Sequence, residues 1–166
     1  NNQQLIDNSK WIFLAITPEV GKKIIQNFKF KNKQTIISFI STLKMKDLKK
    51  IIKVKANIVR AIPLPPISLN KGPVPIFPPN KKVKLFFNHL GNSIEIKNEN
   101  SSLNFWTTSA MMAPFYKILE TLSEWLIKKG IKKEIAQKYI TSLFVALSED
   151  AFKKSFDLKK LVKESQ

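Results

Sequence analysis

Residues 11–16 read WIFLAI, residues 35–40 TIISFI and residues 56–62 ANIVRAI. Each run is continuously apolar rather than alternating, the pattern of a strand covered on both faces. Two stretches of helical period separate them. Thr17, Pro18 and Glu19 supply an N-cap, a first helical position and a first-turn acid. The helix they begin is expected to run to about Phe28, with Val20, Ile24, Ile25 and Phe28 on its inner face. Ser41 or Thr42 is the expected cap of a second, lysine-rich helix ending near Ile52. Strand–helix–strand–helix–strand at this spacing predicts a parallel α/β sheet wound by right-handed crossovers.

Beyond the third run, prolines at 63, 65, 66, 73, 75, 78 and 79 argue against helix. They leave at most an edge strand around Val74–Phe77. Lys81–Leu90 reads as an amphipathic helix with Val83, Phe86, Phe87 and Leu90 inward, stopped by Gly91 as a C′ residue, and 92–96 as a short strand. The polar, turn-prone KNENSS at 97–102 suggests a boundary, giving domains 1–100 and 101–166. The second half reads as helix throughout. One helix is expected from Ser109, with Thr107-Thr108-Ser109 as its N-cap, to about Lys129 before Gly130. Another covers Lys132–Leu147 with Ile135, Tyr139, Leu143 and Leu147 along one face, and a third starts near Phe156. So few helical residues bury little surface alone, so they are expected to pack against the sheet domain or a second copy of themselves.

The chain has 166 residues, with 29 Lys+Arg against 12 Asp+Glu, a formal charge of +17. The absence of cysteine excludes disulfides, thiolate-bound zinc and thiol catalysis. His89 is the sole histidine and reads as a surface residue. No apolar run approaches the ~18 residues of a membrane span. The opening NNQQLIDNSK lacks the features of a signal peptide. A cytoplasmic protein with no membrane contact is therefore expected. The charge is almost all lysine, in pairs such as Lys22–Lys23 and Lys132–Lys133, and Arg60 is the lone arginine. Arginine, whose planar fork reads guanine, would be expected in a base-reading protein. With no supporting motif, nucleic acid is not the expected partner, and a polyanion-binding module stands as the alternative of another class.

A parallel α/β sheet binds ligands beyond the carboxyl ends of its strands. That places interest on Ala15–Pro18, Ser38–Thr42 and Arg60–Pro66, none of which holds a general acid or base. Four glycines, at 21, 72, 91 and 130, form neither a dinucleotide fingerprint nor a P-loop.

The order of these segments resembles the pyrroline-5-carboxylate reductase family. FLAITPE (13–19) is similar to its FLAVKPQ, and IISFIST (36–42) to its second strand, ISIAAGI. RAIPLPPISLNKG (60–72) resembles RVMPNTPALVGAG, and SAMMAPFY (109–116) lies where LSGSGPAY falls. The likeness is collinear over essentially the whole chain, although no single motif is intact. It implies the carboxy-terminal part of a Rossmann-type parallel-sheet domain followed by a helical dimerisation domain. It further implies NADP or NAD as cofactor and reduction of a cyclic imine, 1-pyrroline-5-carboxylate to proline. By the same likeness Ala15, Ile16, Thr17, Pro18, Pro63 and Leu64 bind cofactor. Met111, Met112, Ala113, Pro114 and Leu119 bind substrate, with no catalytic acid–base residue. The partners implied are a small imine and a second copy, as a homodimer or higher homo-oligomer. The glycine-rich phosphate turn is then expected upstream of Asn1.

The departures from the family pattern are apolar. Met111, Met112 and Ala113 replace Gly-Ser-Gly, Leu119 replaces a threonine, and Leu64-Pro65 replaces Asn-Thr. They keep open a differently specific imine reductase or a non-catalytic relative. Local alternatives also stand beside the site readings. Met111, Met112 and Phe115 read as core filling as well as substrate lining, and Arg60 as a salt-bridged structural residue as well as a ligand contact. Glu149–Asp150 and Lys117 read as solvated surface, being neighbours on a helix that point in different directions or out.

Overall fold

The structure, a computed structural model, describes residues 1–153 and 157–166. It divides into two compact units, Asn1–Ser109 and Ala110–Gln166.

The first unit carries α1 (Asn2–Asn8), β1 (Trp11–Leu14), α2 (Pro18–Ile25), β2 (Thr35–Ser38), α3 (Met45–Ile52) and β3 (Asn57–Ala61). A 3₁₀ turn at Pro65–Leu69 follows, then β4 (Pro73–Phe77), α4 (Lys81–Asn88), β5 (Asn92–Glu95) and α5 (Glu99–Thr108). The sheet order is β1-β2-β3-β4-β5. The first three strands are parallel as expected, in the register Leu14–Ser38–Arg60. Consecutive apolar residues serve opposite layers. Ile36 and Ile58 pack with Ile25, Leu48 and Ile52 on one side; Ile37 and Val59 pack with Val83 and Phe87 on the other. That two-sided demand is why the strands read as unbroken apolar runs.

β1 departs from the expectation. It ends at Leu14 and lies at the sheet edge, with Trp11 and Ile12 half-buried and Phe13 40% exposed. Ile12 and Leu14 point to the layer covered by α2 and α3, whereas Trp11 and Phe13 point to the opposite face, which α4 covers only in part at the sheet edge. The inner face of α2 also differs, since Gly21 and Ile25 are its buried residues and Val20 turns outward.

β4 is not an edge strand. It lies between β3 and β5, with Val74, Pro75 and Ile76 buried. It runs parallel to β5 over four residue pairs but antiparallel to β3 over only Arg60–Phe77 and Ala61–Ile76. The Ile76 carbonyl accepts from the Ile96 amide at 2.8 Å, so the amides of even-numbered residues face β5. Pro73 and Pro75 therefore have their missing donors on the β3 side, where pairing is short. Proline is admitted to the interior by bonding on one flank only.

Gly91 serves another purpose than helix termination. Its φ is not positive, and α4 ends on the right-handed His89. A Cβ at Gly91 would lie 2.5 Å from the Gly72 carbonyl oxygen, which accepts from the Asn92 amide at 2.8 Å. Gly91→Ala is expected to cost about 1–3 kcal/mol by overpacking backbone against backbone. Urea unfolding measures it, and unchanged stability would mean that the 71–73 loop yields freely. On α4, Val83 and Phe87 are buried and Leu90 is half-buried, while Phe86 is exposed, contrary to expectation. His89 is exposed, as its sequence suggests.

Residues 97–102, expected as a turn, instead open α5. Asn98 caps it by accepting from the Asn100 amide at 2.9 Å. Thr107, Thr108 and Ser109 are not an N-cap. Their hydroxyls donate back to the carbonyls of Leu103, Asn104 and Phe105, closing the end of α5.

The second unit holds a 3₁₀ turn (Ser109–Met111 at its entry), α6 (Met112–Lys128), α7 (Lys133–Lys153) and α8 (Leu158–Glu164). Gly130, at φ 91°, ends the α6 segment as expected. The expected start of the last helix at Phe156 lies outside the described residues. On α7 the buried residues are Ala136 and Ile140. The stripe Ile135, Tyr139, Leu143, Leu147 does share one face, and that face is exposed, Tyr139 at 61% and Ile135 at 58%. Among the described residues no helix is long and apolar enough to cross a membrane.

Candidate functional site

The carboxyl edge of β1–β3 is organised by Arg60. Placed at the end of a central strand, its side chain is only 1% exposed. Nη1 donates to Glu99 Oε1 at 2.5 Å, and Nη2 donates to the Ser41 carbonyl at 2.7 Å. Glu99 Oε1 also accepts from the Met45 amide at 2.7 Å. The Arg60 guanidinium lies over the Trp106 ring, 4.4 Å from its centroid. Burial lowers the Arg60 pKa, and the Glu99 carboxylate opposes that shift. One ion pair thus ties β3, the 41–44 loop, α3 and α5.

This arrangement replaces the expected cap of α3. Lys44 is the N-cap and offers no side-chain bond, so the first-turn amide of Met45 is met by Glu99, 54 residues away. Neither Ser41 nor Thr42 caps the helix. Glu99 and Trp106 were missed in the sequence reading because they lie on an unexpected helix. The Asn98-Glu99 pair, a cap residue followed by a first-turn acid, is the signal that could have found it.

The expected cofactor residues lie along the same edge. Ala15 and Thr17 are exposed, while Ile16, Pro18, Pro63 and Leu64 are half-buried. Thr17 heads α2 without spending its hydroxyl on a capping bond, and Pro18 is the first helical residue. Aliphatic side chains beside a free hydroxyl offer a surface on which a flat ring could pack. They do not suit a dinucleotide's phosphates, for which the 166 residues contain no glycine-rich cradle.

The expected substrate residues belong to the second unit. Met111, Met112, Ala113 and Pro114 are exposed at the start of α6, and Leu119 is half-buried farther along it. Core filling does not describe Met111, Met112 and Phe115 in this chain, since all three are exposed. Pro114 is tolerated because the first-turn amides of a helix lack intrahelical partners. Lys117 is exposed and bonds Glu120, which raises its pKa. Glu149 is exposed and pairs with Lys153, and Asp150 is half-buried beside it. Among the described residues no group of acidic or imidazole side chains could hold a metal.

No family model matches the sequence, and no curated protein matches it. Solved structures do. The chain superposes on a pyrroline-5-carboxylate reductase from Coxiella burnetii with a TM-score of 0.84 at 20% identity, covering 100% of this chain and 66% of that one. The 1-pyrroline-5-carboxylate reductase of Streptococcus pyogenes gives 0.81 at 18% identity, covering 99% and 65%. The NADP-bound pyrroline carboxylate reductase of Plasmodium falciparum gives 0.81 at 19% identity, covering 99% and 66%. The chain thus spans about two thirds of the length of these structures. Over its whole extent it has the fold of the pyrroline-5-carboxylate reductases, a Rossmann-type sheet followed by a helical domain.

Proposed function

We propose that the chain is the ring-binding and dimerisation part of an NAD(P)H-dependent reductase of cyclic imines, acting on 1-pyrroline-5-carboxylate to give proline. The observation that carries this reading is the superposition of the whole chain, sheet and helices together, on three such reductases. The chemistry asks little of side-chain acids or bases. Imine reduction needs a hydride at carbon and a proton at nitrogen, and a pre-protonated iminium brings its own proton. A bound nicotinamide supplies the hydride. The residues at 15–18 and 63–64 would hold the ring and help to keep water away, work that positioning alone can make worth ~7–11 kcal/mol.

Two surfaces support the rest of the assembly. The outer edge of β1 is unpaired, and Trp11 and Phe13 beside it gather on Phe86 at 5.7 and 5.5 Å. A further parallel βα unit bearing the phosphate turn would extend the sheet there. The outward stripe on α7, with Trp125 58% exposed on α6, fits a second copy of the chain. Met111, Met112 and Ala113 favour a substrate more apolar than the usual one, which is the second reading.

The test is NADPH and NADH oxidation by the full-length protein with 1-pyrroline-5-carboxylate and with bulkier cyclic imines. Turnover of the first supports proline formation, and turnover of only the others supports the divergent reductase. Cofactor binding without turnover of any would leave a non-catalytic relative.

A further inference from the structure

The excess charge is not shared evenly. Residues 1–109 hold eighteen of the 29 basic residues but five of the twelve acidic ones, a net +13. Much of it gathers on the amino edge of the sheet, opposite the edge built around Arg60. A cleft of about 990 Å³ there is lined by Lys10, Lys31, Lys33, Lys81 and Lys82, with Asp7 as its one acid. Lys55 adjoins it. Asp7 is committed to Lys31, at 3.6 Å. Among the described residues Lys10, Lys33, Lys55, Lys81 and Lys82 have no acidic partner.

The backbone holds these cations in a row. The Thr35 amide donates to the Lys10 carbonyl at 2.9 Å, and the Lys33 amide to the Lys55 carbonyl at 2.9 Å. Gln34, 5% exposed, locks the loops by donating to the Ile6 and Ser9 carbonyls at 2.7 and 2.9 Å and accepting from the Lys31 amide. Lys33 and Lys55 therefore start neighbouring strands, about 4.8 Å apart, with Lys10 on the next strand one residue further along. Two features run against local preference. Lys33 adopts φ 66°, a conformation favouring Gly or Asn. Lys81 and Lys82 occupy the first turn of α4, where cations oppose the helix dipole and no acid offsets them. A chain of anions laid along the cleft relieves both the repulsion and the dipole conflict.

We infer that this amino-edge cleft binds the phosphate backbone of a single-stranded nucleic acid without reading its bases. Lysines gathered along one cleft suit a backbone of repeated charge, and half-buried Trp11, which lines the cleft, offers a stacking face. The lack of arginine removes bidentate base recognition. The inference does not rest on the reductase reading, since its lysines line the opposite edge of the sheet, and Trp11 alone borders the β1 edge that reading also uses.

The test is fluorescence anisotropy with a labelled oligothymidylate of about twenty nucleotides. With about four phosphates engaged, affinity is expected to fall roughly 50-fold between about 50 and 200 mM salt. Lys10→Gln/Lys33→Gln/Lys82→Gln should weaken binding about tenfold or more and reduce the salt slope by about 2. Lys128→Gln/Lys129→Gln/Lys132→Gln removes the same charge from the second unit and should change affinity less than about threefold. The arginine versions of the first set should retain binding, which separates lost contacts from lost folding. Equal losses in both glutamine sets would overturn the inference in favour of net charge alone. Salt-independent binding would overturn it too, as would equally effective competition by polyglutamate, which would mark an acidic protein surface.

Discussion

Replacing Arg60 by methionine should lower the unfolding free energy by about 3–5 kcal/mol, the usual cost of removing one member of a buried ion pair. Methionine fills much of the volume, so the loss is electrostatic rather than a cavity. It leaves Glu99 with the Met45 amide alone, strips the Ser41 carbonyl of its donor and removes the cation from Trp106. Glu99→Gln should cost less, about 1–2 kcal/mol, because an amide oxygen still accepts from Met45 and from the guanidinium. The double variant should fall short of the sum of the two, since the residues share one network. Chemical denaturation measures all three. Stability of the Arg60 variant within about 1 kcal/mol of the parent would show that the four segments are tied elsewhere.

The largest expected functional loss comes from the α7 stripe. If the proposed dimer forms through this stripe, Tyr139→Asp with Ile135→Asp should raise its dissociation constant at least a hundredfold, because a charge on each side of a two-fold contact is counted twice. Neither residue is among the buried residues of α7, so the helix should keep its fold, which circular dichroism checks. If activity depends on a second copy, turnover should fall with the dimer and recover at high protein concentration. Sedimentation of the unmodified full-length protein as a monomer at about 10 μM would remove the dimer reading.

The parallel half of the sheet was legible because burial on both faces writes itself as WIFLAI, TIISFI and ANIVRAI. The position of β1 was not, since WIFLAI carries the same apolar residues at the edge of the sheet as an interior strand would. β4 was misjudged for a good local reason: prolines do argue against an interior strand, and only the one-flanked bonding of Ile76 and its neighbours admits them. Arg60 was legible as a paired structural residue, but its partner was hidden. Glu99 lies in a polar segment without helical periodicity, and α5 is held by that tertiary tie rather than by an apolar face. The stripe on α7 was visible as a period, yet period says that a face is buried without saying by what. The strand-end loops were found from topology, whereas the lysine row could not be. Its members are separated by whole helices and meet only when parallel strands bring their starts together.

The bonding of β4 also divides the sheet mechanically. The segment from Pro73 to Ile96 is zipped together by parallel bonds, but it holds the remaining strands through two residue pairs and the packing of Ile37, Val59, Val83 and Phe87. Strain reaching this seam would be released by side chains sliding across it rather than by breaking a long ladder. The outer segment, β4–α4–β5, is therefore the block expected to exchange its amide hydrogens together, ahead of the three parallel strands.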